Sequence, residues 1–107
     1  MTWVRGSVIS GLITFIASTS PIIAQERPQL IPPKRFDHRF QGKLVEHPGN
    51  LHEVQMWCAT MYGEPFPFMV EGCALPMGTR CEIAYTRERV RRHEIGHCNG
   101  WPAHHPK

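Results

Sequence analysis

His93-Glu94-Ile95-Gly96-His97-Cys98-Asn99-Gly100-Trp101 spells H-E-x-x-H close to the C-terminal end of a 107-residue chain. On a helix, His93 and His97 stand one turn apart on the same face. Two imidazoles so placed are a pair of ligands for one metal ion, and Glu94 beside them is placed to accept a proton from water polarised by that ion. The rest of the chain is read outward from this helix.

Upstream, Thr86 is the expected N-cap, and residues 87–98 contain no proline and no helix-stopping signal. Asn99-Gly100 is a helix stop, and Trp101-Pro102 turns the chain away. Residues 80–85 read as a strand leading into the helix, and Pro76-Met77-Gly78-Thr79 supplies turn chemistry after a strand expected from Phe68 to Cys73. Asn50 and Glu53 have the spacing of a capping box, with an amphipathic helix expected from Leu51 to about Thr60. A short strand is expected at residues 42–46, ended by His47-Pro48-Gly49. The fold class that follows is α+β: a short antiparallel sheet, two helices and the motif helix at the C-terminus.

Residues 1–24 read as a signal peptide, with Arg5 in the n-region, an apolar stretch from Val8 to Ala17, and an expected cut after Ala24. Residues 25–35 carry Pro28, Pro32 and Pro33 and are expected to be a flexible tether. The domain proper is then 36–107. So small a domain buries little surface, so staples are expected. All four cysteines, Cys58, Cys73, Cys81 and Cys98, follow the signal, which implies two disulfides and a periplasmic or extracellular location. A strand at 81–85 packed antiparallel to the motif helix brings Cys81 near Cys98, leaving Cys58 with Cys73. The competing pattern bridges the hairpin through Cys73 and Cys81 and joins Cys58 to Cys98.

The net charge of +3 is too mild to argue for nucleic acid. Arg87, Arg89, Arg91 and Arg92 read as a solvated helix face. Trp57 and Trp101 are expected to anchor the two helices. His38, His47 and His52 read as surface or loop residues, and the four methionines from Met56 to Met77 as core filler.

The motif, followed by Gly100 and then more histidines, resembles the zincin metallopeptidases in their extended H-E-x-x-H-x-x-G-x-x-H form, over about the last twenty-five residues. That resemblance implies zinc held by His93 and His97, Glu94 as general base, Gly100 as the turn, and a third histidine ligand. The extended pattern puts that histidine where this chain has Ala103, so the third ligand is expected to be His104, with His105 as the alternative. Glu71 and Glu82 remain acidic candidates, and Tyr62 or Tyr85 for the oxyanion. Strand 80–85 would pair with an extended substrate if it lies at the sheet edge. The implied function is an exported zinc-dependent peptidase acting on a peptide or protein, monomeric and off the membrane once the signal is cut. The competing class is a non-catalytic exported metal-binding or interaction module whose H-E-x-x-H helix is structural.

Overall fold

Asn50 starts the first helix as the capping box requires: its side chain accepts from the Glu53 N–H at 2.8 Å, and the Glu53 carboxylate accepts from the Asn50 N–H at 2.9 Å. The computed structural model describes residues 30–107, and in it this helix, α1, is Leu51–Tyr62, ended by Gly63 at φ +80°. Strand β1 is Lys43–Pro48, β2 Gly72–Met77, β3 Arg80–Tyr85, and the motif helix α2 is Glu88–Cys98. The expected signal peptide, residues 1–24, and the first part of the expected tether, residues 25–29, lie outside the described residues. Among the described residues no helix is long and apolar enough to cross a membrane.

The class is α+β, and β2 and β3 form the expected antiparallel hairpin. The sheet as a whole is mixed, in the order β1-β3-β2, because β1 pairs with β3 in parallel from Lys43 opposite Arg80 to Pro48 opposite Tyr85. The end of β1 and the start of β2 both lie opposite Tyr85, so α1 and the loop after it cross the sheet without reversing the chain, and β2 then carries it back to where β3 starts parallel to β1. Strand β3 is therefore central, and the condition for its pairing with an extended substrate, an edge position, is not met.

β2 lies further along than the sequence suggested. Its turn is the two residues Gly78-Thr79, with Gly78 at φ +71°, so Pro76 and Met77 belong to the strand. Pro76 is tolerated because β2 is an edge strand. The Ala74 carbonyl accepts from the Tyr62 hydroxyl outside the sheet, and by alternation Pro76 also turns its missing N–H away from β3.

Alternation along the strands gives each sheet face its own small core. Cys73 and Ala84 face α1 with Val54 and Cys58, whereas Ala74, Cys81 and Ile83 face α2 with Cys98. One disulfide crosses each layer: Cys58–Cys73 joins α1 to β2, and Cys81–Cys98 joins β3 to α2. The hairpin bridge is excluded because Cys73 and Cys81 point to opposite faces, and no described cysteine is free.

Thr86 does not cap α2. Its hydroxyl and its N–H both go to Glu71, at 3.3 and 3.1 Å, and Arg87 occupies the N-cap without a side-chain bond to the helix backbone. Three of the helix arginines are paired rather than simply solvated: Arg91 with Glu46 (2.7 Å), Arg92 with Asp37 (2.8 Å) and Arg87 with Glu71 (3.1 Å). The guanidiniums hold the Glu46 and Asp37 carboxyls below their usual range. Trp101 is buried, but Trp57 is 40 % exposed and stacks on His47, whose Nε2 lies 2.6 Å from Glu82. Upstream, residues 30–35 do not hang free. Pro32 is buried against α2, and Lys34–Phe36 form a 3-10 turn.

Replacing Cys58 and Cys73 together by serine should cost about 3 kcal/mol, the loop-closure value for a cross-link 15 residues long. A urea midpoint unchanged by the double substitution would remove that staple from the account of stability.

Candidate metal centre

Helix α2 places His93 and His97 on one face, and the chain beyond it supplies a third imidazole. Asn99 ends the helix, and Gly100 reverses the chain at φ +103°, a conformation that L side chains rarely adopt. The Asn99 amide donates to the carbonyls of Phe36 and His38, fixing the corner. Trp101 then buries its indole flat against His97, centroids 5.0 Å apart and planes 14° from parallel. Its Nε1 donates to the Pro106 carbonyl at 2.8 Å, and the His105 N–H donates to Pro102 at 2.9 Å. His105 adopts φ +59°, uncommon for a residue with a Cβ, and its ring reaches the other two.

The three Nε2 atoms form a triangle with every edge 3.2 Å. Two nitrogens bound tetrahedrally at 2.0–2.1 Å must stand about 3.3 Å apart, so the triangle is the size of a three-histidine metal face. Among the described residues, His93, His97 and His105 are the group able to hold a metal ion. His104, the expected third ligand, is exposed and outside the triangle; the alternative, His105, takes the place. The tight turn from Pro102 to His105 explains this, since it needs two more residues than the extended pattern allows.

Hydrogen bonds fix the tautomers. The Nδ1–H of His93 donates to the Leu30 carbonyl at 2.7 Å, and that of His97 to the Trp101 carbonyl at 2.7 Å. Each neutral ring is left with a lone pair on Nε2, and these two lone pairs face one another at 3.2 Å. Neutral rings so held cannot hydrogen-bond to each other. They repel unless a cation stands between them, and carbonyl acceptors on the far nitrogens are the usual support of metal-bound histidines. Burial holds His97 and His105 below the ordinary imidazole range, favouring the neutral, ligating form, although the Trp101 carbonyl opposes this at His97.

Glu94 is the one buried charged residue among those described, at 6 % exposure. It opens with the three histidines into a cavity of about 480 Å³ walled by Tyr62, Phe66, Phe68 and Trp101. Gly72 makes room for it: a Cβ there would come within 2.9 Å of Glu94 Oε2 and 2.5 Å of Val90 Cγ1. Burial pushes the Glu94 carboxyl up to about 8. Tyr62 borders the same cavity, its hydroxyl raised by burial and by the charge of Glu94, whereas Tyr85 lies elsewhere, bonded to Glu46. Glu71 and Glu82 are bonded to Arg87 and His47 and do not join the triangle. A larger groove, about 620 Å³, runs between residues 37–42 and α2, but Arg91 and Arg92 in it are paired to carboxylates. Sequence reasoning did not find Leu30, Gly72 or the Trp101 carbonyl. Backbone acceptors carry no residue signature, and a glycine before Cys73 reads as an ordinary loop residue.

In protein stripped of metal by a chelator, the folded state keeps a proton on Glu94 that the unfolded chain releases above about 4.5. Its stabilising contribution is complete below 4.5 and is lost as pH rises towards 8. The depressed histidines act in the opposite sense, but only below about 6.5. Between pH 6.5 and 8, urea stability should therefore fall by roughly 1 kcal/mol per pH unit. Glu94→Gln should flatten that slope; an equal fall in the variant would assign it to other groups.

Comparison with protein-family models, with curated proteins and with solved structures gave no match to this chain, so what the site does is argued from its geometry.

Proposed function

We propose that the chain is an exported zinc-dependent peptidase in which His93, His97 and His105 hold the ion and Glu94 is the general base. The observation that carries this reading is the pair of Nε2 lone pairs of His93 and His97, turned towards each other by carbonyls on their far nitrogens. Three neutral imidazoles with one side open to a cavity suit a catalytic zinc, whereas a structural zinc is normally closed by four protein ligands. The resemblance of the motif to zincins agrees with this. Two disulfides agree with an oxidising compartment.

Zinc bound here would supply Lewis acidity, lowering the pKa of water and polarising a carbonyl. The remaining work falls to side chains. Glu94, which opens into the same cavity, takes the proton from the attacking water and passes it to the leaving amine. Burial alone would keep that carboxyl protonated near neutrality, and a dication nearby favours its ionised form, so base and metal depend on each other. Tyr62 borders the cavity, and its hydroxyl would serve the developing oxyanion by leaving the Ala74 carbonyl to which it donates. Because β3 is covered on both sides, the strand open to an extended peptide is β2, whose Gly72, Cys73 and Ala74 border the cavity. The aromatic walls favour a large apolar side chain next to the scissile bond.

Metal analysis of reconstituted mature protein should find one zinc per chain, lost in His97→Ala and kept in His104→Ala. Glu94→Gln should keep its zinc and lower kcat on a quenched peptide library by about 10²-fold or more. A chain that takes up no zinc would end the proposal. One that binds zinc and shows no turnover sensitive to Glu94 would be a metal-binding module instead.

A further inference from the structure

Residues 30–33 cross the motif helix, and two independent contacts seat them there. The first is the Leu30 carbonyl, which accepts from His93 Nδ1 across 63 residues of sequence. The other fixed ligand, His97, is held by a carbonyl four residues away on its own turn. The second is Pro32, buried on α2 above Gly96: a Cβ on residue 96 would stand 2.6 Å from Pro32 Cγ and 2.9 Å from its Cβ. Glycine inside a helix costs up to about 1 kcal/mol relative to alanine, so its place in H-E-x-x-H of this chain has a reason: it admits the proline. Downstream the strap is secured by Asn99 to the Phe36 and His38 carbonyls and by Arg92 to Asp37. Neither disulfide spans it.

We infer that residues 30–33 are a positioning strap of the metal centre, whose loss loosens the ion's hold without touching a ligand. The inference rests on the metal reading above. Without the Leu30 carbonyl, His93 loses the acceptor that fixes its tautomer and ring orientation. Both nitrogens then compete for the proton, and Nε2 no longer presents a fixed lone pair. Support of this kind is typically worth 10–100-fold in metal affinity.

The test compares four chains: residues 25–107, residues 34–107, and each of these with Gly96→Ala. Zinc affinity is measured by chelator competition, the ligand field from cobalt(II) absorption, and folding from circular dichroism. In the long chain, Gly96→Ala should weaken zinc 10–100-fold and alter the cobalt spectrum, and truncation should do the same. In the short chain, Gly96→Ala should add almost nothing, since its Cβ no longer has Pro32 to meet. Equal loss in both backgrounds would route the effect through Trp101, whose Cε3 lies 3.1 Å from the same Cβ, and would overturn the strap. If truncation unfolds the protein, Pro32→Gly in the long chain decides, with unchanged zinc affinity the overturning result. Zinc binding by the long chain that truncation leaves unaltered sinks this inference alone; no zinc binding by the long chain sinks the metal reading with it.

Discussion

Burial of Trp101 against α2 is the interaction on which the candidate centre depends. Its N–H closes on Gly96, its indole lies along His97, its Nε1 holds Pro106, and its carbonyl fixes the His97 tautomer. One residue thus ends the helix, orients one imidazole and folds back the tail that carries another. Gly100 makes this possible by taking the left-handed conformation just before it. A segment of nine residues after a helix, 99–107, would ordinarily fray. Here it is tied at its turn, at Trp101 and at Pro106.

The same economy governs the rest of the domain. Each face of the three-stranded sheet buries only a few side chains, and cysteines make up much of what is buried. A core of this size gives marginal stability by hydrophobic burial, so each layer is closed by a covalent link. The Cys81–Cys98 link also fixes the last residue of α2 to the central strand, which holds the motif helix, and with it His93 and His97, in register.

Much of this was legible in the residues. Spacing alone gave the two helices, the hairpin and the two aligned histidines, because each depends on local periodicity or on caps and turns within a few positions, whereas the cysteine pairing stayed open between two patterns until the faces of β2 and β3 were known. The features that escaped are those decided by partners far along the chain. The parallel pairing of β1 with β3 depends on a crossover, and the displacement of β2 on the edge position of Pro76. Thr86 has the right chemistry for a cap, but Glu71 competes for both its groups. His105 rather than His104 enters the triangle because of a left-handed backbone conformation that nothing about a histidine announces. The packed strap at Pro32 was hidden by composition, since a proline-rich run reads as a tether unless the glycine that receives it is known.

The hydroxyl of Tyr62 on the Ala74 carbonyl has a consequence for how copies of this protein behave towards one another. An open strand edge invites a second chain to pair with it, and a small domain with exposed Phe68 and Met69 close by would be prone to aggregate through such an edge. On β2 one outward carbonyl is taken by a tyrosine from α1, and two residues on a proline has no N–H to offer. The edge is left short of the alternating donors and acceptors that a regular ladder needs. Pairing of this edge with a second copy is disfavoured for that reason.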